Sequence, residues 1–216
     1  MRDLELRSRV LAELEYEPSL DAANIGVAVK EGVVTLSGHV ASYSEKVAAE
    51  RAVRRVKGVR AIAEEIEIRL SREKKTSDDE IARRVANILR WDSQVPHDAL
   101  EVTVQDGWVT LSGTVDWQFQ RAAAENDIYK LSGVAGLNSH IRVQPRVAVS
   151  DLQSRIEDAL KRNAEIEAEG IGINVKDGAV ILTGFVHDLA EHEAIKNAVW
   201  SAPGVKSVDD QLRMAD

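Results

Sequence analysis

The side chains with the widest chemical reach in this chain are five histidines: His39, His97, His140, His187 and His192. Histidine can ligate a metal or move a proton near neutrality. The run His187-Asp188-Leu189-Ala190-Glu191-His192 has the look of a metal-binding helix. A helical histidine pair that shares one metal sits at i and i+4. Five positions turn the second ring by about 140° away from the first, so the run reads as a solvated helix start. There is no cysteine, which removes thiolate zinc sites, disulfides and thiol nucleophiles. Gly170-Ile171-Gly172 lacks a third glycine and opens a strand pattern, so it is no dinucleotide fingerprint. Neither a Walker loop nor a G-x-S-x-G elbow is present. The expectation is a non-enzymatic protein with no cofactor and no metal.

Binding chemistry has better candidates. Lys46, Arg51, Arg54, Arg55 and Lys57, with Arg60 just beyond, cluster within fifteen positions. Such a cluster can draw anionic headgroups or phosphates. Glu45 and Glu50 are interleaved, and the competing reading is a solvated helix face with pairs such as Glu50 and Arg54. The whole chain carries a net charge of −8, so it lacks the broad basic footprint of a nucleic-acid binder. Lys and Arg number 7 against 13 Asp and Glu over residues 150–216, which concentrates the acidity there.

These residues lie on elements that the sequence repeats three times. Gly32-Val33-Val34-Thr35-Leu36-Ser37-Gly38 returns as Gly107 to Gly113 and again as Gly178 to Gly184, 75 and then 71 positions later. A fixed internal period outranks other signals when a fold is read. Before each copy comes an apolar helical face: Leu6, Val10, Leu14, then Ile81, Val85, Leu89, then Leu152, Ile156, Leu160. Ser77 or Asp78 is placed to cap the second of these helices and Ser150 the third. A loop with one apolar residue follows, at Leu20, Val95 or Ile166.

The period then changes to two at Ile25, Val27, Val29 and their equivalents. A two-residue turn at Glu31-Gly32, Asp106-Gly107 or Asp177-Gly178 has the composition of a type I′ hairpin. That register sets Val27 against Leu36 and Val29 against Val34. It puts the second motif glycine, Gly38, Gly113 or Gly184, on the inward face, where a helix is expected to cross close to the sheet. A second helix follows, with the stripe Ala49, Val53, Val56 ending at Gly58-Val59. Its equivalents end at Gly133-Val134 and Gly204-Val205, each glycine being placed as a left-handed helix cap. A last strand closes each unit.

The fold expected is α+β: three tandem αββαβ units, each with two helices on one face of a three-stranded sheet. The units span residues 1–70, 79–145 and 150–216, joined by linkers at 71–78 and 146–149. The pattern resembles the BON domain family, as represented by the osmotically inducible protein Y group. Gly32 to Val40 with Gly58-Val59, and Gly107 to Val115 with Gly133-Val134, carry the resemblance; Ile181 and Thr183 are mild variants in the third copy. The resemblance implies a stress-associated protein that binds phospholipid surfaces or partner proteins. The alternative is a structural scaffold, or self-associating module, that binds no lipid. It implies no catalytic residues, and the motif glycines are structural.

Variation between copies points outward. Trp108 follows the hairpin turn, and Trp117 begins the segment after the second strand, in a repeat that also holds Trp91. Ile181 and Phe185 make the open sheet face of the third repeat apolar, and are expected to dock on another repeat or on a second copy of the chain. No apolar run reaches the about 20 residues of a membrane span, and the N-terminus lacks the apolar core of a signal peptide. The compartment expected is cytoplasmic, or periplasmic if a leader precedes this sequence.

Overall fold

In a computed structural model, residues 3–69, 76–145, 151–162 and 170–215 are described. Ser150, Ile166 and residues 71–75 and 146–149 of the expected linkers lie outside that set. The first unit is α1 (Asp3–Tyr16), a single 3-10 turn (Ala22–Asn24), β1 (Ile25–Lys30), β2 (Val33–Val40), α2 (Tyr43–Arg54) and β3 (Ala61–Ile68). The second is α3 (Asp78–Trp91), β4 (Leu100–Gln105), β5 (Trp108–Val115), α4 (Gln118–Tyr129) and β6 (Gly136–Val143). The third is α5 (Leu152–Arg162), β7 (Ile171–Lys176), β8 (Ala179–Val186), α6 (Leu189–Trp200) and β9 (Ser207–Met214).

Each sheet has the order first, second, third strand, so the motif strand is central. It pairs antiparallel with the strand before it and parallel with the strand after the second helix. The hairpin register matches the alternation: Val27 faces Leu36 and Val29 faces Val34. Glu31 and Gly32 both take positive φ, at 53° and 78°, as a type I′ turn requires. The apolar helix and strand faces meet in three cores, one per repeat, in which Val10, Val34, Leu36, Val109, Leu111, Ile128, Ile156, Val180 and Leu182 are fully buried.

Three local readings are corrected. The close approach to Gly38 is not a helix crossing. A Cβ there would collide with the carbonyl oxygen of Asn24, the residue before β1. At Gly113 and Gly184 the colliding carbonyls are those of Ala99 and Gly170. The second helix stops at Arg54, well before Gly58, and tight turns carry the chain through Val56 to a left-handed Gly58 (φ 97°). Ser77 occupies the N-cap position of α3, but its hydroxyl donates to Asp79. Asp78, inside the helix, reaches the hairpin instead, accepting from the N–H groups of Asp106 (2.8 Å) and Gly107 (2.9 Å). Asp3 does the same for Glu31 and Gly32. These carboxylates pin the start of each helix to the turn of its own sheet.

The repeats meet through their second helices. Tyr43 starts α2 and packs on the second core; Leu189 starts α6 and packs on the first. Trp200 ends α6 and packs on both the second and third cores. Each repeat therefore touches both others.

Candidate functional site

Most of the basic cluster is drawn into contacts within the chain. Lys46 is bound to Glu64 at 2.6 Å. Arg51 donates to Asn126 in the second repeat (2.8 Å), and its guanidinium carbon lies 5.1 Å from the centre of the Tyr129 ring. Arg54 joins Glu50 (2.7 Å) and, across the seam, Glu193 of the third repeat (2.9 Å). Arg55 bonds Glu13 of α1 and Glu17 just beyond its end. Arg60 donates to the Ala215 carbonyl oxygen at 2.8 Å. Lys57 is exposed and, among the described residues, has no ion pair. The Glu17 carboxyl is held below the usual carboxylate range by the Ser19 hydroxyl and then by Arg55.

Where α2, α4 and α6 come together they border an open groove of about 1240 Å³. Arg51, Arg54, Arg55 and Lys57 form one wall, facing Glu125, Glu191 and Glu193. The seams beside it are specific. Tyr43 and Tyr129 meet edge to face, with centroids 5.7 Å apart, a geometry that favours the ring quadrupoles. Burial raises the pKa of both phenols, that of Tyr129 to about 12. On the other side Leu189 donates its N–H to the Val59 carbonyl at 2.8 Å.

The outward candidates are exposed but not gathered in one place. Trp108 is half exposed, and its ring lies over Gly136 of β6, where any side chain would strike it. Trp117 follows the other end of the same strand, two positions before exposed Phe119. Because Asp78 pins the start of α3 to the hairpin turn, Trp91 lies roughly 20 Å away along the helix, at the Trp117 end. Trp91 is 87% exposed and Phe119 55%. Ile181 and Phe185 stand on the open face of the third sheet and are exposed, so that of the two occupants expected, another repeat or a second copy of the chain, no described residue of another repeat covers them. Their cross-strand partners on β9 are Asp209 and Arg213.

Phe119 escaped sequence reading because a lone phenylalanine in a helix pattern normally reads as core. Tyr43, Tyr129, Trp200 and Asp188 escaped it because their partners are in other repeats; the signal was variation at shared positions, with Tyr43, Gln118 and Leu189 at one, Arg54, Tyr129 and Trp200 at another, and Ser42, Trp117 and Asp188 at a third. Among the described residues, no three His, Asp or Glu side chains converge as metal ligands would. Nor, among them, is any helix long and apolar enough to cross a membrane.

A hairpin flanked by two helices and closed by a parallel strand, present three times with its differences at the surface, defines a tandem-repeat α+β protein. The chain belongs to the BON domain family, whose model matches residues 2–69, 77–145 and 148–216. It is similar to osmotically-inducible protein Y of Escherichia coli (strain K12), at 28% identity over 148 residues, or 67% of this chain and 74% of that protein. Two solved chains of CdsD, a structural protein of the type III secretion system of Chlamydia trachomatis, align at 13% and 12% identity. They cover 98% and 100% of this chain and 92% and 100% of their own, with TM-scores of 0.27 and 0.28, too low to carry an argument.

Proposed function

We propose that this is a non-enzymatic, stress-associated protein that meets a phospholipid surface through the aromatic end of its second repeat. What supports this reading is the exposure of three aromatic side chains of the second repeat, Trp91, Trp117 and Phe119, at 87%, 38% and 55%. Aromatic rings with one wet edge are favoured at headgroup level. The equivalents of Trp91 and Phe119 are Tyr16 and Ser44 in repeat one, and Arg162 and Ala190 in repeat three. The stress association follows the relative's name. Three of the six cations from Lys46 to Arg60, namely Lys46, Arg54 and Arg55, are paired with carboxylates, which weakens contact carried by the cluster; binding carried by rings would be little affected by salt.

Flotation of the full chain with neutral and anionic vesicles, across a salt series, tests this. Trp117→Ala with Phe119→Ala is expected to lower binding at every salt concentration. Binding that vanishes at high salt while the double variant behaves as wild type would return the role to the basic cluster. A second reading, a scaffold whose repeats mainly bind each other, is favoured by Tyr43 on Tyr129 and Arg54 on Glu193. No binding to either vesicle at low salt would support it.

A further inference from the structure

The open face of the second sheet holds one large ring among polar side chains. Trp108 begins β5, and its Cα partners are Gln105 on β4 and Gly136 on β6. A Cβ built on Gly136 would meet three consecutive carbons of the six-membered ring, Cε3, Cζ3 and Cη2, at nearly equal distances. An approach along the ring plane would bring one carbon close and leave its neighbours well behind. The indole therefore lies with one face flat on the glycine backbone. Gly136 is buried beneath it, whereas Trp108 remains 49% exposed, so the other face of the ring is open.

The other two repeats lack this arrangement. The positions of Trp108 and Gly136 hold Val33 and Ala61 in the first repeat, and Ala179 and Ser207 in the third. The ring is present only where the neighbouring strand offers a glycine as its seat. Packing an aromatic ring over an edge glycine steadies a sheet by itself, and that accounts for the lower face of the indole. It does not account for what surrounds the upper face. Thr110 and Asn138 are paired in the next row along the strands, about 7 Å away, with Thr103 on the other side of Thr110. The side chains of Thr103, Gln105 and Asn138 are exposed, and none is hydrogen-bonded to another described residue. The Trp108 indole N–H also has no partner among the described residues.

We propose that this face binds a neutral oligosaccharide, with one pyranose ring lying on the open face of Trp108 and its hydroxyl groups reaching Gln105, Thr110 and Asn138. The C–H groups on one side of a pyranose form an apolar plane that suits the negative face of an indole. Amides and hydroxyls both donate and accept, as sugar hydroxyls do. Charge decides against the other flat ligand. A nucleobase would also stack, but its phosphates need a basic track. The outward positions of this sheet hold Glu101, His140 and Arg142 and no such track. Nor can a ring pressed flat on a sheet enter a headgroup layer by its edge, which separates Trp108 from the more exposed Trp91 and Phe119. The site stands apart from the vesicle-binding reading and does not rest on it.

Magnetic resonance of the full, isotope-labelled chain tests this, with cellohexaose, maltohexaose and chitohexaose each titrated into the millimolar range. At least one of them should shift the Trp108 indole N–H and the amides of Gly136 and Asn138, and do so saturably. Trp108→Val copies the first repeat and keeps a good strand former at the position. Affinity for that sugar should fall at least about tenfold. Gly136→Ala places a methyl group where the ring lies, and should weaken binding to a similar extent although Trp108 is still present. Trp117→Ala with Phe119→Ala should leave sugar binding unchanged, whatever it does to vesicle binding. If none of the sugars moves these resonances in the wild-type chain, the proposal is wrong. It is equally wrong if the shift at Asn138 survives in Trp108→Val. A single-stranded oligonucleotide that shifts the same resonances at lower concentration than any sugar would overturn it too, and assign the face to bases.

Discussion

The carboxylate of Asp188, in the third repeat, accepts the backbone N–H of Gly58, in the first, at 3.0 Å. Its other oxygen accepts the Glu191 N–H, also at 3.0 Å, and so caps α6. One nearly buried side chain therefore starts a helix and closes a seam between repeats 130 positions apart. Removing it as Asp188→Ala should cost about 2 kcal/mol, a helix cap of about 1 and a hydrogen bond of about 1. Asp188→Ser keeps the cap, as Ser42 does for α2, but is too short to hold the seam as well, so about half the loss is expected. Urea unfolding of the three chains measures this, with amide exchange at Gly58 reporting the seam. Equal stability of the serine variant and the wild type would show that the seam bond contributes nothing.

Gly38 and Gly26 face each other's neighbourhood on β1 and β2, yet they should respond differently to alanine. Gly38 has φ 111°, and its missing Cβ would overlap the Asn24 carbonyl, a backbone atom that cannot rotate away. Gly38→Ala is expected to cost more than about 2 kcal/mol through strain and collision together. At Gly26 the nearest atom to an added Cβ is the Ser37 hydroxyl oxygen, at 2.9 Å, which a change of rotamer can move. Gly26→Ala should stay within about 1 kcal/mol of wild type. Denaturant midpoints at unchanged slope decide it, and comparable losses from both would refute the account of Gly38.

The contrast marks where sequence reading stops. Val27 opposite Leu36 was legible because a period of two and a two-residue turn leave a single register. The same alternation showed that something approaches Gly38, but not that it is a carbonyl, because nothing local distinguishes a helix from a turn overhead. The basic side chains from Lys46 to Arg60 were visible as a cluster. Their destinations were not: Arg54 reaches Glu193 across 139 positions, and only the packing of whole repeats brings the two together. Three copies of one pattern specify three cores. The residues that differ between copies, such as Tyr43, Gln118 and Leu189 at the first position of each second helix, decide how those cores fit together.

Trp200 packs on two cores at once, its own and the second. A fully buried tryptophan cut to alanine costs about 3–5 kcal/mol; Trp200 is partly exposed, so a loss of about 2 is expected for Trp200→Ala. The loss should also uncouple the repeats. Wild type is expected to unfold in one transition by fluorescence and by circular dichroism, and the variant in separated steps. Trp200→Phe, which keeps most of the buried ring, should remain close to wild type. A variant that loses stability but still unfolds in one coincident step would place Trp200 within its own core alone.

Tyr129 offers a measurement of the seam with the first repeat. Burial holds its phenol up to about 12, with Glu125 adding to the effect and the Arg51 guanidinium over the ring opposing it. The neutral phenol is favoured in the folded chain, so its contribution is complete below pH about 10, the ordinary value for tyrosine. From there to about 12 the unfolded chain ionises and the folded chain resists, so stability falls as pH rises. Alkaline difference absorbance should show a late-titrating phenol that Tyr129→Phe removes. The same substitution should flatten the loss of stability above pH about 10, since the ring still packs against Tyr43 but has no proton to lose. If the phenol that Tyr129→Phe removes instead titrates near 10 in the wild-type chain, the Tyr43–Tyr129 contact is open in solution and the first and second repeats are not held together there.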